Sequence, residues 1–255
     1  MDVIAGDKVF FSVTKNQGIV EEILPRKTVL DRPTIANVSM LIIVTSLSSP
    51  EPSWGLLDRL LVLGAFAGLK IVLVFNKIDI AKKEIRERAS QYEKLGYKFI
   101  YTSAVKGIGI EDLRGFLKDE IAVFAGSSGV GKSSLINALE PELFLDTAEV
   151  SAKLGSGRHT TRYVSLLPLS TGGLVADTPG FNRISMPSGL KKEELGYYFP
   201  EIQEFFGLCR FNDCLHKNEP DCRVIQAVET GIIDKRRYQS YLHLLEEIFN
   251  QERRY

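Results

Sequence analysis

The sequence contains little cysteine and no long apolar run. Only three cysteines occur in 255 residues, all between positions 209 and 222, and an odd number does not suit a disulfide framework. The longest apolar runs, such as residues 40–44 and 71–75, are far too short to span a bilayer. The N-terminal segment does not combine a basic stretch with a long apolar one, so we expect no signal peptide. These absences predict a cytoplasmic protein that has no membrane partner.

The sequence also has no excess of either charge. Lysine and arginine number 32, aspartate and glutamate also number 32, and a hydrophobic content of 44% is ordinary for a soluble protein. The balance argues against a polycation that wraps nucleic acid by bulk electrostatics, although it does not exclude a local basic patch. We therefore expect no DNA partner, and we expect a monomeric chain. A length of 255 residues allows one large domain or two modest ones.

The middle of the chain alternates short apolar strands with amphipathic helices. Predicted strands cover residues 40–45, 70–75, 98–102, 120–125, 163–167 and 173–176, and predicted helices cover 54–67, 81–95, 110–118 and 132–139. This alternation predicts an α/β fold whose mostly parallel sheet is covered on both faces.

Different patterns flank this central region. Residues 8–13 and 18–23 alternate as strands do, whereas residues 191–206 and 225–252 have helical spacing and flank the cysteines. We therefore predict three parts. They are a small β module over 1–33, an α/β domain over 34–186 and a mainly helical domain over 187–255.

A phosphate-binding loop follows the predicted strand at 120–125 and opens the next helix. The sequence fits G-x-x-x-x-G-K-[ST] at every fixed position, which is the context that this motif requires. Its glycines permit backbone N–H groups to turn towards phosphate oxygens, while its lysine reaches the β- and γ-phosphates and its last serine ligates magnesium. The alternative is a glycine-rich turn that matches by chance. The predicted nucleotide-binding residues here are Gly126, Ser127, Ser128, Gly129, Val130, Gly131, Lys132, Ser133 and Ser134.

The choice of base is predicted from the motif N-K-I-D, which directly follows the strand at 70–75. The Asp79 carboxylate can accept from the adjacent N1–H and 2-amino donors of guanine, and we expect it to be buried, so that ATP would leave it unpaired. Asn76 is expected to tie this loop to the phosphate loop, and the Lys77 stem to lie against the base. One strand later, Ser103 and Ala104 match the loop whose backbone N–H meets guanine O6. The alternative for the first motif is a helix start in which Asp79 is only a cap.

Two further elements follow the phosphate loop. Thr160 and Thr161 are candidates for the switch threonine that helps to bind magnesium, with the choice between them open. Asp177, at the end of a strand in D-T-P-G, can hold the magnesium shell together with Ser133, and Gly180 can sense the γ-phosphate through its N–H. Five elements of a GTPase site are thus present.

The order of these elements is rotated relative to a conventional small GTPase. The base-reading motifs come before the phosphate loop, and D-x-x-G comes last. A closed site tolerates this rotation where the conventional chain ends lie close enough to be joined. The pattern predicts a circularly permuted P-loop GTPase domain. A movement near Gly180 could then pass directly to the C-terminal region.

A candidate metal site contains every cysteine of the chain. Cys209, Cys214, His216 and Cys222 follow the spacing C-x4-C-x-H-x5-C. Three thiolates and an imidazole form a closed tetrahedral set that is typical of structural zinc. The alternative is three buried cysteines beside an incidental histidine.

Together these motifs carry a family resemblance. N-K-I-D, T-S-A, G-x-x-G-V-G-K-S-S, G-R-H-T-T, D-T-P-G-F and the cysteine–histidine spacing, in that order, resemble the RsgA/YjeQ family. The resemblance implies an N-terminal OB-fold that binds rRNA, a GTPase that hydrolyses GTP to GDP and phosphate, and a C-terminal domain with one zinc ion. It also implies a late role in maturing the small ribosomal subunit, which stimulates a low intrinsic activity.

The sequence departs from the family pattern in two places. Residues 3–22 resemble only the latter part of the OB-fold, and a five-stranded barrel cannot close from this length, so the chain is either truncated or has a reduced RNA platform. Val105 stands where many members have lysine, for which we expect a modest effect.

The catalytic group is less well defined by the sequence. Many GTPases place a glutamine directly after D-x-x-G, but Phe181 occupies that position here. In line with the resemblance, His159 is our catalytic candidate, the alternative being a solvated loop residue. Two rival functions remain at this point. One is an RNA-binding module that GTP switches and in which turnover is incidental; the other is a P-loop ATPase or small-molecule kinase, against which Asp79 argues.

Overall fold

The computed structural model describes residues 2–14, 17–31, 34–143, 165–177, 185–187 and 189–253. Its centre is a six-stranded sheet in the order β7-β6-β5-β8-β10-β9. All neighbouring strands are parallel except β9, which runs antiparallel to β10. These strands are β5 (Met40–Ser46), β6 (Lys70–Asn76), β7 (Lys98–Tyr101), β8 (Ile121–Ala125), β9 (Ser165–Pro168) and β10 (Leu174–Asp177).

Helices cover both faces of the sheet, as the strand–helix alternation predicted. They are α1 (Trp54–Phe66), α2 (Lys83–Lys94), α3 (Ile110–Phe116) and α4 (Lys132–Leu139). Side chains of α1 and α2 form a core with one face of the sheet, and side chains of α3 and α4 form a core with the other. Every residue of β5 is buried because this strand lies inside the sheet between both layers. The α/β prediction is confirmed.

The N-terminal segment forms two small hairpins. β1 (Val9–Thr14) pairs antiparallel with β2 (Gln17–Ile23), and β3 (Val29–Asp31) pairs antiparallel with β4 (Thr34–Ala36). Among the described residues these strands form two separate two-stranded sheets. The second hairpin spans the boundary predicted at residue 33, and Ile35 of β4 belongs to the core shared with α1. The three-part division itself stays a prediction.

The two predicted C-terminal helices are each interrupted. Residues 191–206 contain a 3₁₀ turn (Lys192–Tyr198) and a short helix, α5 (Pro200–Gln203), because Phe199 before the proline is extended. Residues 225–252 contain α6 (Arg223–Glu229) and α7 (Lys235–Glu252), separated at Gly231, whose φ is +77°. A new helix starts at α7 because the Asp234 side chain accepts from the Arg237 N–H at 2.9 Å. The helical spacing therefore predicted these two helical regions but not the breaks within them, because the spacing of apolar residues does not register such breaks.

The C-terminal elements pack on α1 of the central domain. Their core joins α5, α6 and α7 with Val62, which α1 contributes from the side opposite to the sheet. Within the described ranges, no helix combines the length and hydrophobicity needed to cross a membrane.

Candidate functional site

The predicted nucleotide motifs meet at the carboxyl edge of the parallel strands. After β5 the chain adds β6 and β7 on one side, and it then returns to place β8 on the other side of β5. Open α/β sheets bind ligands in the crevice at such a point, where the strand order reverses. The loops that follow β5, β6 and β8 border this crevice.

The phosphate loop has backbone geometry that only glycine accepts easily. Gly126, Gly129 and Gly131 have φ values of +143°, +77° and +101°. A Cβ on Gly126 would lie 2.1 Å from the Val44 carbonyl oxygen, so the loop leaves β8 in direct contact with β5. The loop ends at Lys132, the first residue of α4. The first N–H groups of a helix have no partner inside it, and here they face the loop as donors for an anion.

The lysine of this loop is held by the loop itself. Lys132 Nζ donates to the carbonyl oxygens of Gly126 at 2.8 Å and Ser127 at 2.9 Å. Ser133 and Ser134 follow in the first turn of α4 and are half-buried. A cation and two hydroxyls therefore lie beside the first turn of α4, which is an arrangement suited to phosphate oxygens.

Asn76 joins three of the predicted segments. Its side chain is buried, and Nδ2 donates to the Val130 carbonyl in the phosphate loop at 2.9 Å. Its Oδ1 accepts from Thr102 Oγ1 at 3.1 Å and from the Ala104 N–H at 3.4 Å. A Cβ on Gly131 would lie 2.3 Å from Asn76 Nδ2, so the absence of a side chain at Gly131 makes room for this amide. One side chain thus sets the spacing of the phosphate loop and both base-reading loops.

Lys77 reaches a loop that the sequence analysis did not single out. Its backbone is left-handed, with a φ of +63°, and its Nζ donates to the Gly129 carbonyl at 2.9 Å and to the Ser49 carbonyl. Ser49 belongs to residues 47–53, the connection between β5 and α1. Pro50 of the same connection lies beside Gly129, where a Cβ would be 3.5 Å from Pro50 Cδ. No motif marks this wall of the crevice, because it is defined by carbonyl groups that any sequence supplies.

The base-reading loops are built by backbone bonds at the strand ends. Asp79 lies in the 3₁₀ turn Ile78–Ile80, whose Ile78 N–H donates to the Thr102 carbonyl at 3.1 Å. Asp79 is exposed, so its expected burial is wrong for the structure described here, since one 3₁₀ turn cannot cover it. Ser103 is buried and exchanges two backbone hydrogen bonds with Ile108 at 3.0 and 3.1 Å. Ala104 follows half-buried, and Val105 is 88% exposed.

The switch candidates are described only in part. Asp177 is the last residue of β10, a parallel neighbour of β8, so its backbone ends at the same sheet edge as the phosphate loop. His159, Thr160, Thr161 and Gly180 lie outside the described residues.

The cysteines and the histidine of the C-terminal domain converge. The ligand atoms of Cys209, Cys214, His216 and Cys222 all lie within 4.8 Å of one another. His216 Nδ1 lies 3.5 Å from Cys209 Sγ and 3.4 Å from Cys222 Sγ, and these two sulfurs are 3.9 Å apart. A tetrahedron with Zn–S bonds of about 2.3 Å has sulfur–sulfur edges of about 3.8 Å, so the four donors fit a zinc ion.

Side chains around the cluster hold its loop in place. Glu219 accepts from the N–H groups of Leu215, Lys217 and Asn218 at 2.8–3.0 Å, and although burial opposes it, these bonds keep the pKa of Glu219 below its usual value. Tyr238 donates its hydroxyl to the His216 carbonyl at 2.7 Å. Burial raises the pKa of the Cys214 thiol to about 12. Thiolates at this position therefore need a cation beside them.

This architecture defines a class of protein. A mostly parallel sheet carries a phosphate loop and an N-K-x-D loop joined through Asn76, with the N-K-x-D loop earlier in the chain than the phosphate loop. That is a circularly permuted P-loop GTPase. A family model described as RsgA GTPase matches residues 23–187.

Similar proteins agree with this class. A relative from Caldanaerobacter subterraneus subsp. tengcongensis, named small ribosomal subunit biogenesis GTPase RsgA, is 51% identical over 95% of this chain and 82% of its own length. One of the same name from Moorella thermoacetica is 47% identical over 98% of this chain and 86% of its own. The crystal structure of YjeQ from Thermotoga maritima has a TM-score of 0.79 and 36% identity, covering 98% of this chain and 85% of that one. YloQ, a circularly permuted GTPase, has a TM-score of 0.78 and 35% identity over 98% of this chain and 82% of that one.

The chain belongs to the RsgA GTPase family. It is a GTP hydrolase, and the family membership excludes the ATPase and kinase alternatives.

Proposed function

We propose that this GTPase binds the small ribosomal subunit and hydrolyses GTP to GDP and phosphate late in the maturation of that subunit. Three relatives named small ribosomal subunit biogenesis GTPase RsgA, which are 43–51% identical over nearly the whole chain, support this proposal. The observation that supports it in the fold is the joining of the phosphate loop to both base-reading loops by Asn76. We propose that the cell compartment is the cytoplasm, where a soluble GTPase meets the subunit.

Each segment of the site has a proposed role toward GTP. The N–H groups of the phosphate loop and Lys132 bind the phosphates, while Ser133, Asp177 and one of Thr160 and Thr161 hold magnesium directly or through water. Magnesium held by these residues would supply positive charge to the phosphates. Asp79 accepts from guanine, Lys77 lies against the base, and the Ser103–Ala104 loop donates to guanine O6. The exposure of Asp79 supports this role, because the carboxylate is free to meet a ligand.

The test is GTP turnover with purified ribosomal subunits. We expect small subunits to raise the rate markedly and large subunits to leave it unchanged. Lys132→Ala is the matched control and should be inactive with both, because it removes the cation that meets the phosphates. Equal rates with and without small subunits would overturn the proposed partner.

The same experiment separates the rival function. If GTP acts only as a conformational ligand, GTP will strengthen binding to small subunits while the single-turnover hydrolysis rate stays the same with and without them. The enzyme proposal requires that small subunits increase the rate at which the bound GTP is hydrolysed.

His159 is our proposed catalytic residue. Phe181 cannot orient water, and His159 lies next to the switch threonines in the sequence. His159→Ala should lower turnover in the presence of small subunits by about 10²–10⁴-fold, the usual contribution of a general acid–base side chain, and spare GTP affinity. If GTP turnover in the presence of small subunits is unchanged in His159→Ala, His159 is not catalytic and is only a solvated loop residue.

We propose that the subunit is bound in part through its rRNA. The hairpin of β1 and β2 exposes aromatic rings, Phe10 by 58% and Phe11 by 62%. Such rings stack on unpaired bases. Substituting both by serine should weaken binding to small subunits without changing GTP affinity, as measured by sedimentation and nucleotide titration. If the double variant still sediments with small subunits as wild type does, the hairpin does not contact the RNA.

A further inference from the structure

The connection between β5 and α1, residues 47–53, links the nucleotide site to the C-terminal domain. In the first half of this connection, the Ser49 carbonyl accepts a hydrogen bond from the Lys77 ammonium. The same ammonium also donates to the Gly129 carbonyl of the phosphate loop. Pro50 packs beside Gly129 of the phosphate loop. A shift of this connection would therefore move Lys77 away from its present position.

The other end of the connection is held by α7. Trp54, the first residue of α1, stacks on Tyr92 with ring centroids 5.9 Å apart and an interplanar angle of 15°. The Arg236 guanidinium of α7 lies 5.5 Å from the Trp54 ring and 5.7 Å from the Tyr92 ring. A guanidinium over the rings of a half-buried Trp54 and a fully buried Tyr92 is an attractive contact. The C-terminal domain thus contacts α1 at the residue where the connection ends.

One helical turn further, a buried carboxylate fixes the same helix. Asp58 is fully buried, and it accepts from Arg237 at 2.7 Å, from Arg236 at 3.0 Å and from the Tyr92 hydroxyl at 2.6 Å. Arg237 also donates twice to Glu201, at 2.6 and 3.0 Å, so two carboxylates balance two guanidiniums. A buried cluster of this kind tolerates little displacement, because separating its charges exposes each to an uncompensated desolvation cost.

We propose that Arg236 and Arg237 are positioning residues for guanine nucleotide: they hold the start of α1, and so the Ser49 carbonyl that keeps Lys77 in place. Docking of the C-terminal domain then strengthens nucleotide affinity. The inference rests on the proposed role of Lys77 at the base. Because coupling between two equilibria is reciprocal, bound nucleotide also strengthens the docking of α7.

The test is a double-mutant cycle on GDP affinity in the full chain. Arg236→Met removes the cation but leaves Asp58 paired with Arg237 and Tyr92. We expect the dissociation constant for GDP to rise by roughly 5–100-fold, the usual size of coupling between sites. In a Lys77→Met background the same substitution should have almost no further effect, because the two changes break one chain of contacts. Additive effects would overturn the inference.

Controls distinguish positioning from loss of the fold. Lys192→Met removes an ion pair with Glu252 that lies within the C-terminal domain, and it should leave GDP affinity unchanged. Arg236→Lys keeps a cation and should recover part of the affinity. If Arg236→Met does not fold, Trp54→Leu breaks the same contact from the α1 side and must give the same cycle. Wild type that fails to bind GDP would overturn the proposed function instead, whereas normal affinity in the folded variants overturns only this inference.

The reciprocal effect has its own measurement. Hydrogen exchange of the Arg237 amide, which is bonded to Asp234 at the start of α7, should slow when GDP is added to wild type but not to Lys77→Met. Equal exchange with and without GDP in wild type, with GDP bound, would overturn the coupling.

Discussion

The nucleotide site and the cysteine–histidine cluster are built in opposite ways. The nucleotide site collects segments far apart in the sequence, which a sheet with two buried cores brings to one edge. The cluster takes its four ligands from one stretch between Cys209 and Cys222 that has little regular structure. The first site is therefore formed by folding of the domain. The second depends on what binds to it, since burial makes its thiolates unfavourable without a cation beside them.

Metal removal should separate the two regions most strongly. Protein purified without chelator should contain about one zinc ion per chain, because the cluster offers one set of four ligands. Cys214→Ser should abolish zinc binding and loosen the loop around Glu219. The apparent free energy of zinc binding in small domains is about 10 kcal/mol or more, and it stabilises the fold.

GDP affinity of Cys214→Ser should stay within a few-fold of wild type, because α7 keeps its contacts with α1. Metal analysis and hydrogen exchange provide the measurements, with Asp213→Asn, an exposed neighbour, as the control. A metal-free wild type of normal stability would contradict the zinc proposal.

Base selectivity tests the nucleotide site alone. Asp79→Asn should weaken GTP binding and favour xanthosine triphosphate, whose C2 carbonyl needs a donor where guanine needs an acceptor. We expect a selectivity change of roughly 10²–10⁴-fold. Competition binding of the two nucleotides measures it, and zinc content should not change. If Asp79→Asn still prefers guanine to xanthine, Asp79 does not contact the base.

A glycine pair tests how far the nucleotide site depends on the sheet. Gly126→Ala places a Cβ 2.1 Å from the Val44 carbonyl oxygen at a φ of +143°, so we expect a loss of about 3 kcal/mol or more in unfolding free energy. Gly115→Ala in α3 meets nothing within 4 Å and should be neutral or stabilise by up to about 1 kcal/mol. Urea unfolding of both variants gives the comparison. Similar stabilities would mean that the loop leaves β8 with more room than the structure shows.

The smallest expected effect concerns a contact between α7 of the C-terminal region and α1 of the central region. Glu247 of α7 accepts from Arg59 of α1 and, at 3.0 Å, from the Met186 N–H. Although burial opposes it, these bonds hold the pKa of Glu247 below its usual value. A carboxylate with a lowered pKa stabilises the fold at neutral pH, and this contribution is lost as pH falls through the folded-state pKa.

Glu247→Gln should therefore cost about 1 kcal/mol at pH 7, and the difference from wild type should shrink as pH falls below about 4.3. Urea unfolding across this range measures it, with the exposed Glu229→Gln as control. A difference that persists at low pH would assign the effect to packing rather than charge.

Much of this protein is determined by the sequence itself. Short apolar runs and period-3.6 patterns predicted the sheet and its four covering helices within a few residues, because a strand buried on both faces is apolar throughout whereas a covering helix buries only one face. The phosphate loop, N-K-I-D and the cysteine–histidine spacing are local motifs whose chemistry can be recognised without coordinates. Their order was sufficient to predict a circularly permuted GTPase.

Only the tertiary structure decided how these parts are joined. The bonds from Asn76 to Thr102 and Ala104, the carbonyl of Ser49 under Lys77 and the burial of Asp58 between two arginines depend on contacts between distant segments. A sequence shows which side chain is present, but an aspartate on a helix looks the same whether it is solvated or buried. Backbone carbonyls carry no sequence signal at all, and burial is a property of the whole packed chain. For that reason the contacts between α1 and α7 follow from the packing of the whole chain and have no signature in the sequence of either helix.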